Sequence, residues 1–361
     1  MGLIFHSGTE GGHSNGPIET VKPRSFNTFM KRIDDPGSRS RLCTSKRGVW
    51  LLLLPFCLFA GASGCDGGDS AKQPPGSAAR ADHAAADPVF VGAGDIASCD
   101  DLAGAEATAK LIEKIPGTVF AAGDLAYPDG SDEQFAKCYA PTWGRFKDRT
   151  RPAPGNHEYH KGRASGYAHY FGAAAGDPSR GYYSYELGAW HIVVLNSECV
   201  EVGGCDAVSP QGQWLRQDLA QQAEPCTLAY FHKPLFSSGG KHGNDPEMKP
   251  LWDALYDAGA EIIINGHDHN YERFAPQDPE GHADPKRGIR EFVVGSGGKN
   301  SHRRLGETKP NSEARNADTF GVLKLTLHAR GYDWEFVPEA GKTFTDAGSG
   351  TCHSGKRPPR T

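Results

Sequence analysis

The sequence has little that would place it in a membrane or on nucleic acid. A helix needs about 20 apolar residues to cross a bilayer, and the stretch Val49–Ala60 (VWLLLLPFCLFA) falls short of that. Charge is nearly balanced, with 39 Lys and Arg against 44 Asp and Glu, a net −5 over 361 residues. That argues against a general nucleic-acid or membrane-surface binder. No internal repeat is visible, and no cysteine pair downstream of residue 65 has the Cys-x-x-Cys spacing of a metal or redox site. What remains is ordinary globular composition, 37% hydrophobic and 23% charged, at a length that buries a large core without disulfide staples. The 46 Gly and 25 Pro point to many loops, where catalytic side chains are usually carried.

Lys46 and Arg47 followed by Val49–Ala60 read as the charged and apolar parts of a secretory signal. Two cleavage readings compete. Ala60-Gly61-Ala62 is a small-x-small site, and Ala62-Ser63-Gly64-Cys65 resembles a bacterial lipoprotein box without its usual first Leu. The first predicts free secretion; the second predicts a cell-envelope protein held by a lipid on Cys65. Residues 1–64 are therefore read as a leader, with Met30 as an alternative start, and 65–87 as a flexible tether. Residues 88–340 form the predicted domain, and 341–361 a tail that is mobile unless Cys352 pins it.

Six cysteines lie beyond Cys65: Cys99, Cys138, Cys199, Cys205, Cys226 and Cys352. An even number in an exported chain suggests disulfides. Cys199 and Cys205 flank a short Gly-containing loop and are expected to pair. Cys99–Cys138 with Cys226–Cys352 is one completion of the set, free buried thiols being the other reading.

From Pro88 onward, short apolar runs end repeatedly in Gly or polar residues: PVFVGAGD, TVFAAGD, WHIVVLNS, TLAYFH, AEIIINGHDH and REFVVGSGG. These read as buried strands. Ala103–Ile115, Gln211–Gln222 and Glu247–Ala258 show helical spacing between them, and FGVLKLTLH with YDWEFVP reads as an antiparallel pair. Strands alternating with helices predict a layered α/β fold.

Five motifs fall at predicted strand ends, where open α/β sheets place ligands: Gly94-Asp95, Gly123-Asp124 with Tyr127, Gly155-Asn156-His157-Glu158, Phe231-His232, and Gly266-His267-Asp268-His269. Their carboxylates, phenol, amide and imidazoles are the donors that hold iron, zinc or manganese. Glycine precedes the donor in four of the five and lets the backbone turn sharply there. His267 and His269 would share one side of an extended strand, so reaching two different metals requires a turn. Taken singly, each motif is a common turn; all five in order are specific.

In their order and spacing these motifs resemble the calcineurin-like metallophosphoesterases. Where most of that superfamily has Asp-x-His, this chain has Asp95-Ile96-Ala97, and Tyr127 follows the second aspartate by three residues. With GHDHNYER (Gly266–Arg273), GSGG (Gly295–Gly298) and the QWLRQDL helix, that exchange is similar to the purple acid phosphatases of compact, bacterial type. The resemblance implies a four-layer α/β/β/α sandwich with two mixed β-sheets. It implies two metal ions: Fe(III) on Asp95, Tyr127 and His269, and a divalent Fe, Zn or Mn on Asn156, His232 and His267, with Asp124 bridging. It further implies hydrolysis of small phosphate monoesters by a metal-held hydroxide, with His157 on the phosphate oxygens and His242 protonating the leaving group. A phosphodiesterase or nucleotidase on the same metals is the alternative reading, and a non-catalytic envelope protein binding metal or phosphate is a second. His160, His169 and His191 read as surface or internally satisfied groups, and Trp143, Trp190, Trp214 and Trp252 as core. Tyr271, Glu272 and Arg273 are expected to orient the histidines. No nucleic-acid-binding signature is present, and the sequence leaves the oligomeric state open.

Overall fold

The computed structural model describes residues 86–300 and 304–353. The leader, the Met30 start, the Cys65 anchor and nearly all of the tether lie outside the described residues. Two mixed sheets form the centre. From edge to edge the first runs Ala347–Thr351, Gly331–Pro338, Gly321–His328, Val89–Ala93, Thr118–Ala122 and Thr150–Ala153. Its last three strands are parallel and the others antiparallel. The second runs Ser312–Asn316, Tyr271–Phe274, Arg290–Val294, Ile262–Asn265, Cys226–Tyr230, Trp190–Val194 and Tyr183–Leu187. Its four strands from Arg290–Val294 to Trp190–Val194 are parallel.

Side chains on a strand alternate between faces, and the second sheet shows how this builds layers. Ile192, Val194, Leu228, Tyr230, Ile262 and Ile264 belong to the core shared with the first sheet, where Tyr230 meets Phe90 and Phe120 at 5.8 and 6.0 Å between ring centroids. The intervening Val193, Ala229, Phe231 and Ile263 face the other way, onto Leu215 and Leu219 of helix Pro210–Gln221 and Leu251, Trp252 and Leu255 of helix Lys249–Ala258. Helix Ala103–Lys114 packs against strand Gly321–His328 of the first sheet. The result is the four-layer α/β/β/α sandwich. One of these helices begins, and the other ends, as the sequence dictates. Ser209 accepts the Gly212 N–H ahead of Pro210, and Gly259 ends the second helix at φ 85°.

The runs read as strands are strands, and the two sheets add five more: Thr150–Ala153, Tyr183–Leu187, Tyr271–Phe274, Ser312–Asn316 and Ala347–Thr351. Thr150–Ala153 holds Pro152 at a sheet edge, where a missing N–H is tolerated. Ala347–Thr351 carries the first sheet beyond residue 340, and the adjacent Cys352 is bonded to Cys226. Cys352 thus pins this segment, the condition named from the sequence. Cys99–Cys138 and Cys199–Cys205 are the other two disulfides. Trp143, Trp190 and Trp252 are fully buried and Trp214 half-buried. Among the described residues no helix is long and apolar enough to cross a membrane.

His191 is an internally satisfied histidine. It lies 2.7 Å from both Glu186 and Asp218. Burial alone would lower its pKa, but those two carboxylates raise it. A raised folded pKa gives stability that is complete below the unfolded value and is lost as pH rises through the folded one. We expect His191→Gln to cost about 1 kcal/mol at pH 6 and markedly less at pH 9, measured by urea unfolding at the two pH values. Equal losses would show that the charge plays no part.

Candidate metal centre

The candidate donors sit at the C-terminal ends of parallel strands. Asp95 follows Val89–Ala93, Asp124 follows Thr118–Ala122, and Asn156 follows Thr150–Ala153. On the second sheet His232 follows Cys226–Tyr230, and His267 and His269 follow Ile262–Asn265. Three of them, Asp95, Asp124 and His267, have left-handed backbones at φ 58, 54 and 73°. A non-glycine residue there costs on the order of 1–2 kcal/mol, so the fold holds these turns against local preference. The turn at His267 is the one that two metals demanded of the His-x-His pair. Neighbouring glycines make room for the turns: a Cβ on Gly266 would stand 2.6 Å from Asp95 Oδ2, and one on Gly155 would overlap Asp124 Oδ1.

The donor atoms fall into two groups that share one residue. Tyr127 Oη lies 2.8 Å from Asp95 Oδ1 and 3.4 Å from His269 Nε2, and His269 Nε2 lies 3.2 Å from Asp95 Oδ1. His232 Nε2 lies 3.2 Å from His267 Nδ1 and 3.1 Å from Asp124 Oδ2. Asp124 Oδ2 is also 3.1 Å from Tyr127 Oη, which joins the groups. Spacings near 3 Å are those of adjacent ligands around a cation with bonds of about 2.1 Å. Asn156 Oδ1 is buried without a hydrogen-bond partner, and an orphaned buried oxygen is costly unless something binds it.

Hydrogen bonding supports the fit. His232 Nδ1 is 2.9 Å from the Ala122 carbonyl oxygen, which can only accept. Nε2 of a neutral ring would then aim a lone pair at the Asp124 carboxylate and at His267. A positive charge is required between them, either a proton or a metal ion. Burial alone would lower the His232 pKa, but Asp124 and Asp95 push it up to about 10. Burial opposes ionisation of Asp124, yet His232 and His157 hold its carboxyl well below the usual range. Burial, Asp124 and Asp95 keep Tyr127 protonated far above the usual phenol value, so a cation binding there must displace that proton. This donor set fits a metal site, with Asp124, His232 and His267 close enough to share one ion.

The centre opens into a cleft of about 330 Å³ lined by Asp124, Tyr127, Asn156, His267 and His269 together with Pro128, His157, Lys241, His242 and Lys299. His157 donates through Nδ1 to the Pro128 carbonyl at 2.6 Å, which leaves Nε2 3.7 Å from Asp124 Oδ2. His242 packs against His267 with ring centroids 4.0 Å apart and planes tilted by 37°. The structure therefore brings all nine sequence-selected residues to this site.

Sequence reasoning missed four residues, Lys241, Lys299, Glu158 and Asp268, and expected three others to orient the histidines. Lys299 Nζ lies 4.7 Å from the Tyr127 ring centroid and 2.9 Å from Ser98 Oγ. Glu158 and Asp268 organise the turns by accepting backbone N–H groups. Their place inside the donor motifs, Gly155-Asn156-His157-Glu158 and Gly266-His267-Asp268-His269, was the available signal for both. The polar groups of Tyr271, Glu272 and Arg273 bond to partners other than the histidines. The Tyr271 hydroxyl and the Arg273 guanidinium donate to Asp346, each at 2.7 Å, while Glu272 accepts from the Ser238 N–H and the Ser312 hydroxyl.

Comparison with known proteins agrees with this geometry. The chain matches the family model for calcineurin-like phosphoesterases over residues 89–271. It is 28% identical over 200 residues to purple acid phosphatase 15 of Arabidopsis thaliana, covering 45% of this chain and 37% of the relative. It is 33% identical over 132 residues to purple acid phosphatase 18 of the same plant, covering 34% and 28%. The matched stretch is thus well under half the length of either relative. The structure of purple acid phosphatase PPD1 from yellow lupin seeds superposes with a TM-score of 0.56 at 20% identity, over 74% of this chain and 54% of that one. The chain belongs to the calcineurin-like phosphoesterase family and within it is purple acid phosphatase-like.

Proposed function

We propose that this chain is an exported phosphatase that hydrolyses phosphate monoesters at a binuclear metal centre. The observation that carries the reading is the meeting of six donors from both sheets in two groups joined by Asp124, with the unpartnered Asn156 Oδ1 at the same cleft. Asp95, Tyr127 and His269 would hold one ion, and Asn156, His232 and His267 the other. A phenolate favours Fe(III), whereas an amide and two imidazoles suit divalent Fe, Zn or Mn. Bound metals would supply Lewis acidity toward the phosphoryl oxygens and water of lowered pKa.

The chain's own side chains would do the rest. His157 presents Nε2 to the phosphate. His242, above His267, is placed to give the leaving oxygen a proton, a contribution of roughly 10²–10⁴-fold. Lys241 and Lys299 add positive charge at the cleft, which favours a monoester dianion over a diester monoanion. The three disulfides suit an oxidising compartment and support export; a lipid on Cys65 is the anchor proposed for it.

The test is kcat/KM for p-nitrophenyl phosphate beside bis(p-nitrophenyl) phosphate. The monoester should be the better substrate, and a preference for the diester would replace this reading with the phosphodiesterase one. With Fe(III) on Tyr127 the oxidised protein should absorb visible light, and Tyr127→Phe should not. A colourless, iron-free, active protein would assign zinc or manganese instead.

A further inference from the structure

We propose that Asp268, standing between His267 and His269, is a positioning residue that holds the loop carrying Lys241 and His242 over the cleft. The inference rests on the phosphatase reading and deepens it. Asp268 is buried, and its carboxylate gathers three donors from one loop. Oδ2 accepts from Ser237 Oγ at 2.6 Å and from the Gly243 N–H at 2.9 Å, and Oδ1 accepts from the His242 N–H at 3.1 Å. Ser237 Oγ in turn accepts the Gly239 N–H at 2.9 Å. The approach is so close that a Cβ on Gly239 would overlap the Asp268 carboxylate, so Gly239 is needed for this contact.

The loop is tied elsewhere as well. Ser238 N–H donates to Glu272, Gly240 N–H donates to the Arg304 carbonyl, and Ser237 N–H donates to Asn244. Those bonds fix its base and outer edge. The Asp268 bonds act on the backbone of His242 and its successor, and so set where the imidazole sits. Because Asp268 shares a turn with two donors of the metal centre, one rigid element sets both the metals and the proton donor. Side chains that deliver a proton need such support to within about 0.5 Å.

Aspartate is suited to this place because all three partners are donors. Asparagine keeps the shape but turns one oxygen into an NH₂ group that faces a donor. Asp268→Asn should therefore loosen the loop without emptying the metal site.

The experiment compares an aryl ester, p-nitrophenyl phosphate, whose leaving group is stable as an anion, with an alkyl phosphate, whose leaving group needs a proton. Asp268→Asn should lower kcat/KM for the alkyl ester at least tenfold more than for the aryl ester. The metal content should match wild type, and amide hydrogen exchange at His242 and Gly243 should be faster. His242→Ala should show the same selective loss, and the double variant should be no worse than His242→Ala alone. Equal losses on both esters, additive losses, or unchanged exchange would overturn the inference while leaving the phosphatase reading intact. A wild-type protein that hydrolyses neither ester would overturn both.

Discussion

Replacing Asp124 by alanine should lower kcat/KM by about a thousandfold or more and strip the protein of metal. Asp124 is the residue common to both donor groups, with Oδ2 3.1 Å from both His232 Nε2 and Tyr127 Oη. Its Oδ1 also accepts the His157 N–H at 2.9 Å, which ties the Asn156-His157 turn to the Asp124 turn. Removing the carboxylate leaves two clusters with no anion between them. It also leaves His232 facing His267 at 3.2 Å with Asp95 as the remaining carboxylate to balance a charge on the rings. Metal polarisation of a phosphoryl group is worth several kcal/mol, and each 1.36 kcal/mol is tenfold in rate. Metal analysis of the variant beside its kinetics checks the expectation. Near-normal turnover would refute the bridging role.

The second large effect is expected at Glu158, and it falls on stability as well as activity. Glu158 is completely buried. Its Oε2 accepts from Asp124 N at 2.9 Å and Gly155 N at 2.8 Å, and its Oε1 from Leu125 N at 2.8 Å and Ala126 N at 3.4 Å. Those four N–H groups belong to the two turns that present Asp124 and Asn156. Burial and the neighbouring Asp124 raise the Glu158 pKa, and the Gly155 and Leu125 N–H groups oppose that rise. Glu158→Ala orphans the four buried donors, at about 4 kcal/mol in total. Glu158→Gln keeps one acceptor oxygen and should cost about half as much. Thermal unfolding should therefore rank wild type above Glu158→Gln above Glu158→Ala, with metal affinity falling in the same order. A Glu158→Ala variant as stable as wild type would show that water replaces the carboxylate freely.

The sequence told much about the strands and donors because their signals are local. Runs such as AEIIINGHDH carry both the β-branched core residues and the donor at the end. A Gly before Asp, Asn or His marks a turn that a larger residue would block. What escaped notice depends on partners distant in the chain. Ala347–Thr351 (AGSGT) has no strand pattern of its own and becomes a strand beside Gly331–Pro338, with Cys352 tied to Cys226. Asp346 accepts from Tyr271 and Arg273, 75 and 73 residues away, a partner that the YER segment itself does not announce. Glu158 and Asp268 act on backbone N–H groups, which carry no residue type to read. Lys299 follows a glycine run whose path over Tyr127 is set by packing: Gly297 N–H donates to the Gly94 carbonyl, and Lys299 N–H to the Asp95 carbonyl.

The alternative of a non-catalytic envelope protein makes a different demand on the cleft. A chain that only binds phosphate needs cations but no proton donor, so His242 packed against His267 would be idle. An alkyl phosphate assay on His242→Ala decides this point, because only an enzyme loses rate there.

The central claim is that Asp95, Asp124, Tyr127, Asn156, His232, His267 and His269 enclose two adjacent cations. Anomalous scattering from crystals of the protein purified without chelators tests it most directly. The account predicts two metal peaks, one on either side of the Asp124 carboxylate. A fully loaded crystal with a single peak, or with peaks that none of these seven side chains touches, would contradict it.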